Sequence, residues 1–222
     1  MLVIFDLDGT LLNTIDDLAA AANHALSVCG FAPRSIEECR QFVGNGVAKL
    51  LERALPETAR TPQCIADMRA TFFSYYDEHL MDKTHPYVGI ETLLSQLQAR
   101  GIKLAVCSNK YQYATERLIR HFFAKIKFVA VLGQRENIPL KPHPQVIEEI
   151  LHAARESKEN CLYVGDSDTD AQTAQNAGVK FCGVTWGFRS REILAGYNPA
   201  HLVNTPLEML MLPEIQRNNY CA

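Results

Sequence analysis

The sequence predicts an α/β fold: an open parallel sheet with helices on both faces and a small all-α cap domain inserted after the first strand. Short apolar runs rich in β-branched residues recur along the chain, and segments of helical period separate the later runs. Strands that alternate with helices pair in parallel through right-handed crossovers. The long interval between the first two runs has helical character throughout, which indicates an inserted unit.

The predicted strands and helices of the sheet domain follow one another regularly. The strand runs lie at residues 2–5, 103–107, 128–132, 161–164 and 180–184. The helical segments between them lie at residues 91–100, 111–123, 144–155 and 170–177. Ligands of such sheets bind beyond the carboxyl ends of the strands, so functional residues are expected at that edge.

The interval after the first strand is predicted to hold four helices. The first helix presents one apolar face and ends at Gly30. Ser35 and Glu38 have the spacing of a capping box that starts the second helix. Thr61, which precedes a proline, opens the fourth. The chain leaves the sheet and returns to it near one edge, so this unit could cover the strand ends as a lid. The predicted domains are a cap at residues 14–84 and a core at residues 1–13 and 85–222.

Composition argues against several classes of function. The formal net charge of −3 lacks the basic excess of nucleic-acid-binding surfaces, and no apolar run is long enough to span a bilayer. The seven cysteines are odd in number and form no C-x-x-C pair, which argues against a disulfide framework and a zinc site. Free thiols, and too short an apolar run after Met1 for a secretion signal, favour the cytoplasm. We expect a cytoplasmic monomer or homodimer that binds neither nucleic acid nor membrane.

The strongest chemical signal is the run Asp6-Leu7-Asp8-Gly9-Thr10, directly after the first strand. A turn at this point can place both carboxylates at the carboxyl end of the strand. Two carboxylates about 4 Å apart repel by roughly 4 kcal/mol at an effective dielectric constant of about 20, so the pair needs a cation or a retained proton. The plain alternative is a strand exit in which Asp and Gly only form a turn. The pair therefore predicts a metal ion or a lysine beside it.

A second acidic cluster, residues 165–170, follows the fourth strand run and includes Asp166, Asp168 and Asp170. In a parallel sheet both clusters end at the same edge. Oxygen ligands without His or Cys suit Mg²⁺, which keeps several waters and combines one or two carboxylates with a substrate phosphate. The plain alternative is a helix N-cap at Asp168 or Thr169. The convergence of the two clusters predicts a Mg²⁺ site.

Two other strand ends offer groups that a phosphate needs. Ser108 and Asn109 follow the second strand run and supply a hydroxyl and backbone N–H groups. Lys141 precedes Pro142, whose ring stiffens the backbone that carries the lysine. Each residue alone is an ordinary polar surface group. Their positions after successive strands predict a phosphate-binding site beside the carboxylates.

In these residues the chain resembles the haloacid dehalogenase superfamily of phosphatases, whose Rossmann-like core carries a helical cap after the first strand. The motifs match in order across nearly the whole chain: Asp6 and Asp8 the first, Ser108 the second, Lys141 the third, and Asp166 to Asp170 the fourth. Residues 16–19, 43–47 and 184–189 further resemble the phosphoglycolate phosphatase-like branch. The resemblance implies hydrolysis of a small phosphorylated metabolite.

The resemblance also implies roles for the acidic residues. Asp6 would attack phosphorus and form an aspartyl-phosphate. Asp8 would protonate the departing alkoxide and then take a proton from the hydrolytic water. Mg²⁺ would be held by Asp6, the backbone carbonyl of Asp8, and Asp166.

Supporting roles follow from the same resemblance. Ser108, Asn109 and Lys141 would bind the phosphoryl oxygens and their developing charge. Thr10 would hold Asp8 by a hydrogen bond, and Asp170 would orient Lys141 or a metal-bound water.

Substrate choice is expected to depend on the cap, because the core residues bind only the phosphoryl group. The turn Gly44-Asn45-Gly46 opens a helix whose backbone N–H groups could bind a carboxylate, as phosphoglycolate would require, and Lys49 on the next turn could assist. A simple helix-to-helix turn and a solvated lysine explain the same residues equally well.

Other interpretations stay open on the sequence alone. A phosphatase for a nucleoside monophosphate, a sugar phosphate or pyrophosphate fits the same core residues, and Thr10 weighs modestly against a phosphomutase. A phospho-accepting receiver also has an acidic pocket with Ser and Lys, but its acceptor follows a middle strand without the D-x-D-G-T run. A phosphate-binding module without turnover would require Asp6 or Asp8 to be misplaced.

Overall fold

The computed structural model describes residues 1–217, in which six parallel strands form one sheet in the order β5-β4-β1-β6-β7-β8. A separate antiparallel pair joins β2 to β3. The strands are β1 Leu2–Phe5, β2 Leu12–Asn13, β3 His85–Pro86, β4 Lys103–Tyr111, β5 Phe128–Gln134, β6 Cys161–Gly165, β7 Lys180–Val184 and β8 His201–Val203.

Helices cover both faces of the sheet, as the sequence predicts. Every side chain of the central strand β1 is buried; Val3 and Phe5 join the core on one face, and Leu2 and Ile4 the core on the other. The helices are α1 Ile15–Val28, α2 Ile36–Phe42, α3 Val47–Ala54, α4 Pro62–His79, α5 Ile90–Ala99, α6 Gln112–Phe122, α7 Gln145–Ala154, α8 Asp168–Ala177, α9 Arg191–Ala195 and α10 Pro213–Arg217.

Helices α1 to α4 lie between β2 and β3, and we call residues 14–84 the helical segment. The pairing of β2 with β3 brings together the points where the chain enters and leaves it. The buried carboxylate of Asp17 strengthens this junction, since it accepts hydrogen bonds from the backbone N–H groups of Lys83 and Thr84 and from the Thr84 hydroxyl, at 2.8–3.1 Å. The predicted capping box of Ser35 and Glu38 is present at the start of α2.

Strands β4 and β8 and helix α8 each differ from the sequence prediction. Strand β4 continues to Tyr111, so the residues from Ser108 onward belong to the strand end and do not follow it. The short edge strand β8 has no counterpart in the prediction, because three residues give too little pattern to detect. Helix α8 is capped by Ser167, whose hydroxyl accepts from the N–H of Asp170, and neither Asp168 nor Thr169 is the N-cap.

The strand extension at β4 is a bulge that faces the functional edge of the sheet. Cys107 pairs with Leu132 and Tyr111 with Gln134, so residues 108–110 lie opposite the single residue Gly133. A Cβ atom at Gly133 would lie 2.5 Å from the carbonyl oxygen of Lys110, which explains the glycine. The bulge displaces three consecutive polar residues from regular pairing at the end of the strand.

Two other features of the described residues bear on the predictions. The cysteines in residues 1–217 are all free, and Cys221 lies outside the described residues. Among the described helices, none combines the length and the apolar character needed to cross a membrane.

Candidate active site

Three buried carboxylates meet at the carboxyl edge of the sheet. Asp6 follows β1, whereas Asp166 and Asp170 follow β6, its neighbour. One oxygen from each of the three lies within 4.8 Å of the others, and the residues are 7%, 1% and 0% exposed. The parallel pairing of β1 and β6 therefore brings the first and fourth sequence motifs together.

Lys141 places its ammonium within this cluster. Its Nζ lies 2.8 Å from Oδ1 of Asp6 and 2.7 Å from Oδ1 of Asp170, and it donates to the hydroxyl of Tyr163 at 3.2 Å. Burial alone would lower the pKa of Lys141, but the carboxylates of Asp170 and Asp6 outweigh this effect and raise it. The lysine is therefore held in its charged form.

One ammonium does not balance three carboxylates. Burial, and then the charge of Asp170, raise the pKa of Asp6 well above its ordinary value. The same two causes raise the pKa of Asp166 to about 7. Oδ1 of Asp6 is buried, and its one partner among the described residues is the ammonium of Lys141, 2.8 Å away. Surplus negative charge and a buried oxygen with free coordination capacity fit a divalent cation with oxygen ligands.

Asp166 is fixed from several sides. Its Oδ1 accepts from the Thr10 hydroxyl at 2.9 Å and its Oδ2 from the N–H of Phe188 at 2.7 Å. A Cβ atom at Gly9 or at Gly187 would lie 2.3 Å from atoms of this side chain. These two glycines let the backbone close around Asp166 and aim its carboxylate toward Asp6.

The predicted bond from Thr10 to Asp8 is replaced by another. Thr10 donates to Asp166, and Thr14 donates from Oγ1 to Oδ1 of Asp8 at 2.8 Å. The reason is the turn after β1, in which the N–H groups of residues 10–12 all donate to the carbonyl of Leu7. This turn directs Thr10 toward β6 and returns the chain so that Thr14 reaches Asp8.

Asp170 contacts Lys141 as expected, and it also takes part in capping helix α8. Its Oδ2 accepts from the hydroxyl of Ser167 at 2.6 Å and from the Ser167 N–H at 3.1 Å, which completes the capping box of α8. Its Oδ1 also accepts from the hydroxyl of Tyr163 at 3.0 Å. Asp170 therefore ties the lysine to the start of a helix.

The bulge at the end of β4 supplies three residues to the site. Ser108 lines the cavity in front of the carboxylates. The side chain of Asn109 accepts from the N–H of Lys141 at 2.9 Å and donates to the carbonyl oxygens of Gly44 and Lys141, at 2.9 and 3.2 Å. The Asn109 side chain is therefore engaged with backbone, and it positions Lys141.

Lys110, the third residue of the bulge, has no role in the sequence prediction. It is 5% exposed, and its Nζ lies 3.1 Å from Oδ2 of Asp8 and 2.9 Å from the hydroxyl of Tyr76 on α4. The same atom lies 4.8 Å from the centre of the Tyr76 ring. A lysine directly after Ser108 and Asn109 at a strand end is the sequence signal that could have identified it.

A solvent-connected cavity lies between the strand ends and the helical segment. The sheet side of its wall carries the charged residues described above. The opposite wall is mostly apolar, with side chains of Leu18, Val43, Val47 and Leu50, and it includes Gly44, Gly46 and Tyr76. One end of the cavity therefore suits a charged group and the other an apolar one.

Of the four predicted specificity residues, two line the cavity and two do not. Gly44 and Gly46 line the cavity, both with positive φ angles, +123° and +82°. The side chain of Asn45 instead donates to the hydroxyl of Thr169 at 2.9 Å and accepts from Arg53 at 2.8 Å. Lys49 does not line the cavity, because its ammonium pairs with Glu52 at 2.7 Å on the exposed side of α3.

Arg189, which sequence reasoning left without a role, joins the two walls. Its Nη1 donates to the carbonyl of Arg40 at 2.8 Å and its Nη2 to that of Val43 at 2.7 Å, at the carboxyl end of α2. A cation is favoured there because the last carbonyls of a helix have no partner within it. Its Nε also lies 3.4 Å from Oδ1 of Asp168.

Comparisons with known proteins agree with this geometry. The phosphoglycolate phosphatase of Cereibacter sphaeroides (strain ATCC 17025 / ATH 2.4.3) is 37% identical over 189 residues, covering 84% of this chain and 86% of that protein. The phosphoglycolate phosphatase of Vibrio parahaemolyticus is 33% identical over 215 residues, covering 94% of each chain. These relatives extend over nearly all of the described fold.

Solved structures and a family profile extend the comparison. A structure of a predicted phosphoglycolate phosphatase from Haemophilus somnus superposes with a TM-score of 0.88 and 28% identity, covering 95% of this chain and 96% of that one. The profile of haloacid dehalogenase-like hydrolases matches residues 3–184, which include every motif residue from Asp6 to Asp170. The family predicted from the motifs is confirmed: the chain belongs to the haloacid dehalogenase-like hydrolases.

Proposed function

We propose that this protein is a Mg²⁺-dependent phosphatase that hydrolyses phosphoglycolate through an aspartyl-phosphate on Asp6. The observation that carries the proposal is the buried meeting of Asp6, Asp166 and Lys141 at one end of a cavity, with Asp8 beside them. Its charge suits a phosphoryl group bound together with a divalent cation. The phosphatase relatives support the same assignment.

Asp6, the backbone carbonyl of Asp8, and Asp166 would hold Mg²⁺. The bound ion supplies the positive charge that lets a carboxylate approach an anionic phosphate. Asp170 is less suited to direct coordination, because its Oδ1 already pairs with the ammonium of Lys141, whereas the two oxygens of Asp166 accept hydrogen bonds from uncharged donors only. Its part is to keep the ammonium of Lys141 beside Asp6.

The reaction proceeds in two displacements at phosphorus. Asp6 forms a bond to phosphorus while the bond to the ester oxygen breaks, and Asp8 gives its proton to the departing oxygen. Asp8 then takes a proton from a water that attacks the aspartyl-phosphate, which restores Asp6 and releases phosphate. Lys141, the Ser108 hydroxyl and backbone N–H groups of the bulge bind the remaining phosphoryl oxygens.

The helical segment, residues 14–84, acts as a cap over a core formed by residues 1–13 and 85–217. The paired strands β2 and β3 are its hinge, and the apolar wall with Gly44 and Gly46 faces the leaving group. The two ends of the cavity then have separate tasks, since the sheet end binds phosphate and the cap end distinguishes esters. The free thiols of the described residues support a cytoplasmic location.

Release of phosphate from a panel of esters tests the proposal. The kcat/KM values for phosphoglycolate, a nucleoside monophosphate, a sugar phosphate and pyrophosphate are measured with MgCl₂ and again after EDTA. We expect activity that EDTA abolishes and a preference for phosphoglycolate of at least about tenfold. No Mg²⁺-dependent release from any ester contradicts a phosphatase, whereas equal values contradict only the choice of substrate.

A further inference from the structure

Two buried lysines lie in the active site, and each contacts a different carboxylate. Lys141 contacts Asp6, the proposed nucleophile, and Lys110 contacts Asp8, the proposed acid. Because Asp8 acts on the ester oxygen, the ammonium beside it lies on the leaving-group side of the phosphate. The proposed reaction at phosphorus assigns a role to Lys141 and none to Lys110.

The ammonium of Lys110 is held in place from both walls of the cavity. The bulge at the end of β4 presents it from the sheet side, and the close packing at Gly133 fixes that bulge. From the helical segment, the fully buried Tyr76 contributes its hydroxyl at 2.9 Å and its ring face at 4.8 Å. A cation that is already positioned loses little conformational entropy when it binds an anion.

The surroundings of Lys110 select for one kind of leaving group. The wall that faces it from α1 and α3 is apolar, with Leu18, Val47 and Leu50, so Asp8 is the anion that contacts its ammonium in the described structure. A neutral leaving group would leave this contact unchanged and gain nothing from the lysine. An anionic leaving group would gain a charge-assisted hydrogen bond inside a partly desolvated cavity.

The short distance between Asp8 and Lys110 lets one small substrate reach both. The two groups lie 3.1 Å apart, so an ester oxygen beside Asp8 and an anion on Lys110 can be separated by only a few bonds. A carboxylate attached to the carbon that bears the ester oxygen meets this requirement. A nucleoside or sugar phosphate presents neutral ether or hydroxyl oxygens at the same distance.

We propose that Lys110 is the specificity-determining residue, whose ammonium binds a carboxylate located one carbon from the ester oxygen of the substrate. This inference rests on the proposed phosphatase function and gives the substrate class a physical cause. Tyr76 is a positioning residue that holds the ammonium toward the leaving group.

A pair of matched esters tests the inference. Phosphoglycolate and 2-hydroxyethyl phosphate share one skeleton, and the second has a CH₂OH group where the first has the carboxylate. For Lys110→Met we expect the ratio of their kcat/KM values to fall by about 30-fold or more, mainly through the KM for phosphoglycolate. Tyr76→Phe, which keeps the ring and loses the hydroxyl, should lower the same ratio by a smaller factor.

Lys103→Met is the control, because it removes a lysine from the other end of β4, where the ammonium pairs with Glu156 at 2.9 Å. It should leave the ratio unchanged. Equal losses on both esters in Lys110→Met would overturn the inference. If that variant does not fold, wild-type enzyme with equal kcat/KM values for the two esters overturns it, as does an unchanged ratio in Tyr76→Phe. Wild-type enzyme that releases no phosphate from either ester contradicts the proposed function itself.

Discussion

The sheet wall and the helical wall of the cavity are built in different ways. On the sheet wall each acidic side chain has partners from neighbouring elements, as when Asp166 accepts bonds from Thr10 and Phe188. On the helical wall apolar side chains and glycine backbone predominate. The comparison teaches that hydrogen bonds and ion pairs between neighbouring strand ends fix the catalytic groups. Selection of the substrate depends instead on a surface with few polar groups.

The two walls are joined by polar bonds and by aromatic packing of Phe73 and Tyr76 against Tyr111 at the end of β4. Arg189 donates to carbonyls at the end of α2, Asn45 donates to Thr169, and Asn109 donates to Gly44. Residues of the helical segment and of the sheet also share one buried apolar cluster. The polar bonds are therefore the contacts that a single substitution can remove while the apolar packing stays in place.

The largest expected effect comes from the sheet wall. Asp6→Asn removes the anionic oxygen that would attack phosphorus but keeps the size of the side chain. We expect phosphate release to fall by about 10⁴-fold or more, with an unfolding midpoint close to that of the wild type. Steady-state release of phosphate and thermal unfolding measure the two quantities.

Asp67→Asn is the matched control, since it makes the same change on the exposed face of α4, outside the cavity. It should keep full activity. Turnover retained in Asp6→Asn would rule out covalent catalysis at this carboxylate.

Much of this wall could be predicted from the sequence because strand ends have a simple rule. Asp6, Lys141 and Asp166 each follow an apolar run, and parallel pairing brings such positions to one edge whatever the details of packing. The hydrogen bonds that these residues form were harder to predict from the sequence. Thr10 and Thr14 are both near Asp8 in the chain, and only the turn around the carbonyl of Leu7 decides which of them reaches it.

The second expected effect is on Asp8, where the two walls meet. Asp8→Ala should lower kcat for an alkyl ester by about 10²- to 10⁴-fold, because the departing alkoxide loses its proton donor. An aryl ester such as 4-nitrophenyl phosphate has a leaving group that needs less protonation, so its loss should be smaller. Equal losses on the two esters would count against the role of Asp8 as an acid.

The third prediction weakens the contact between the walls and leaves both intact. Arg189→Met removes the bonds to the carbonyls of Arg40 and Val43. We expect the KM for phosphoglycolate to rise by about five- to twentyfold with a smaller change in kcat, because the substrate must then supply the energy that holds the helical wall closed. Arg191→Met, two residues away and outside the cavity, is the control. A fall in kcat at constant KM would show that Arg189 acts on the chemistry instead.

The contacts between the walls were beyond prediction for a physical reason. Arg189 binds backbone carbonyls, which every residue has, so nothing in the sequence of α2 announces its partner. Lys110 and Tyr76 are far apart in the chain, and each alone has an ordinary explanation as a surface lysine or a core tyrosine. The identity of a side chain predicts its partner when the partner is also a specific side chain. It does not predict the partner when the side chain donates to a backbone carbonyl.

The smallest expected effect is on stability, and it separates function from folding on the sheet wall. Burial and Asp170 raise the pKa of Asp166 from an ordinary value of 3.8 to about 7. The folded state therefore binds a proton more tightly than the unfolded state, so the free energy of unfolding of the metal-free protein should fall as the pH rises from about 4 to about 7. Asp166→Asn carries no charge at this position and should lose the part of this dependence that Asp166 contributes, whereas the part that Asp6 contributes stays.

In EDTA, Asp166→Asn should consequently unfold at a higher temperature than the wild type at pH 8, by about 2–4 °C for each kcal/mol of relieved repulsion, and not at pH 5. Mg²⁺ should raise the wild-type midpoint at pH 8 more than that of the variant, because bound metal favours the folded state through the same carboxylate. The Thr10 hydroxyl can rotate to accept from an amide, so its bond survives the change. A variant that is less stable than the wild type at both pH values would mean that the two hydrogen bonds to Asp166, and not its charge, dominate the stability of this wall.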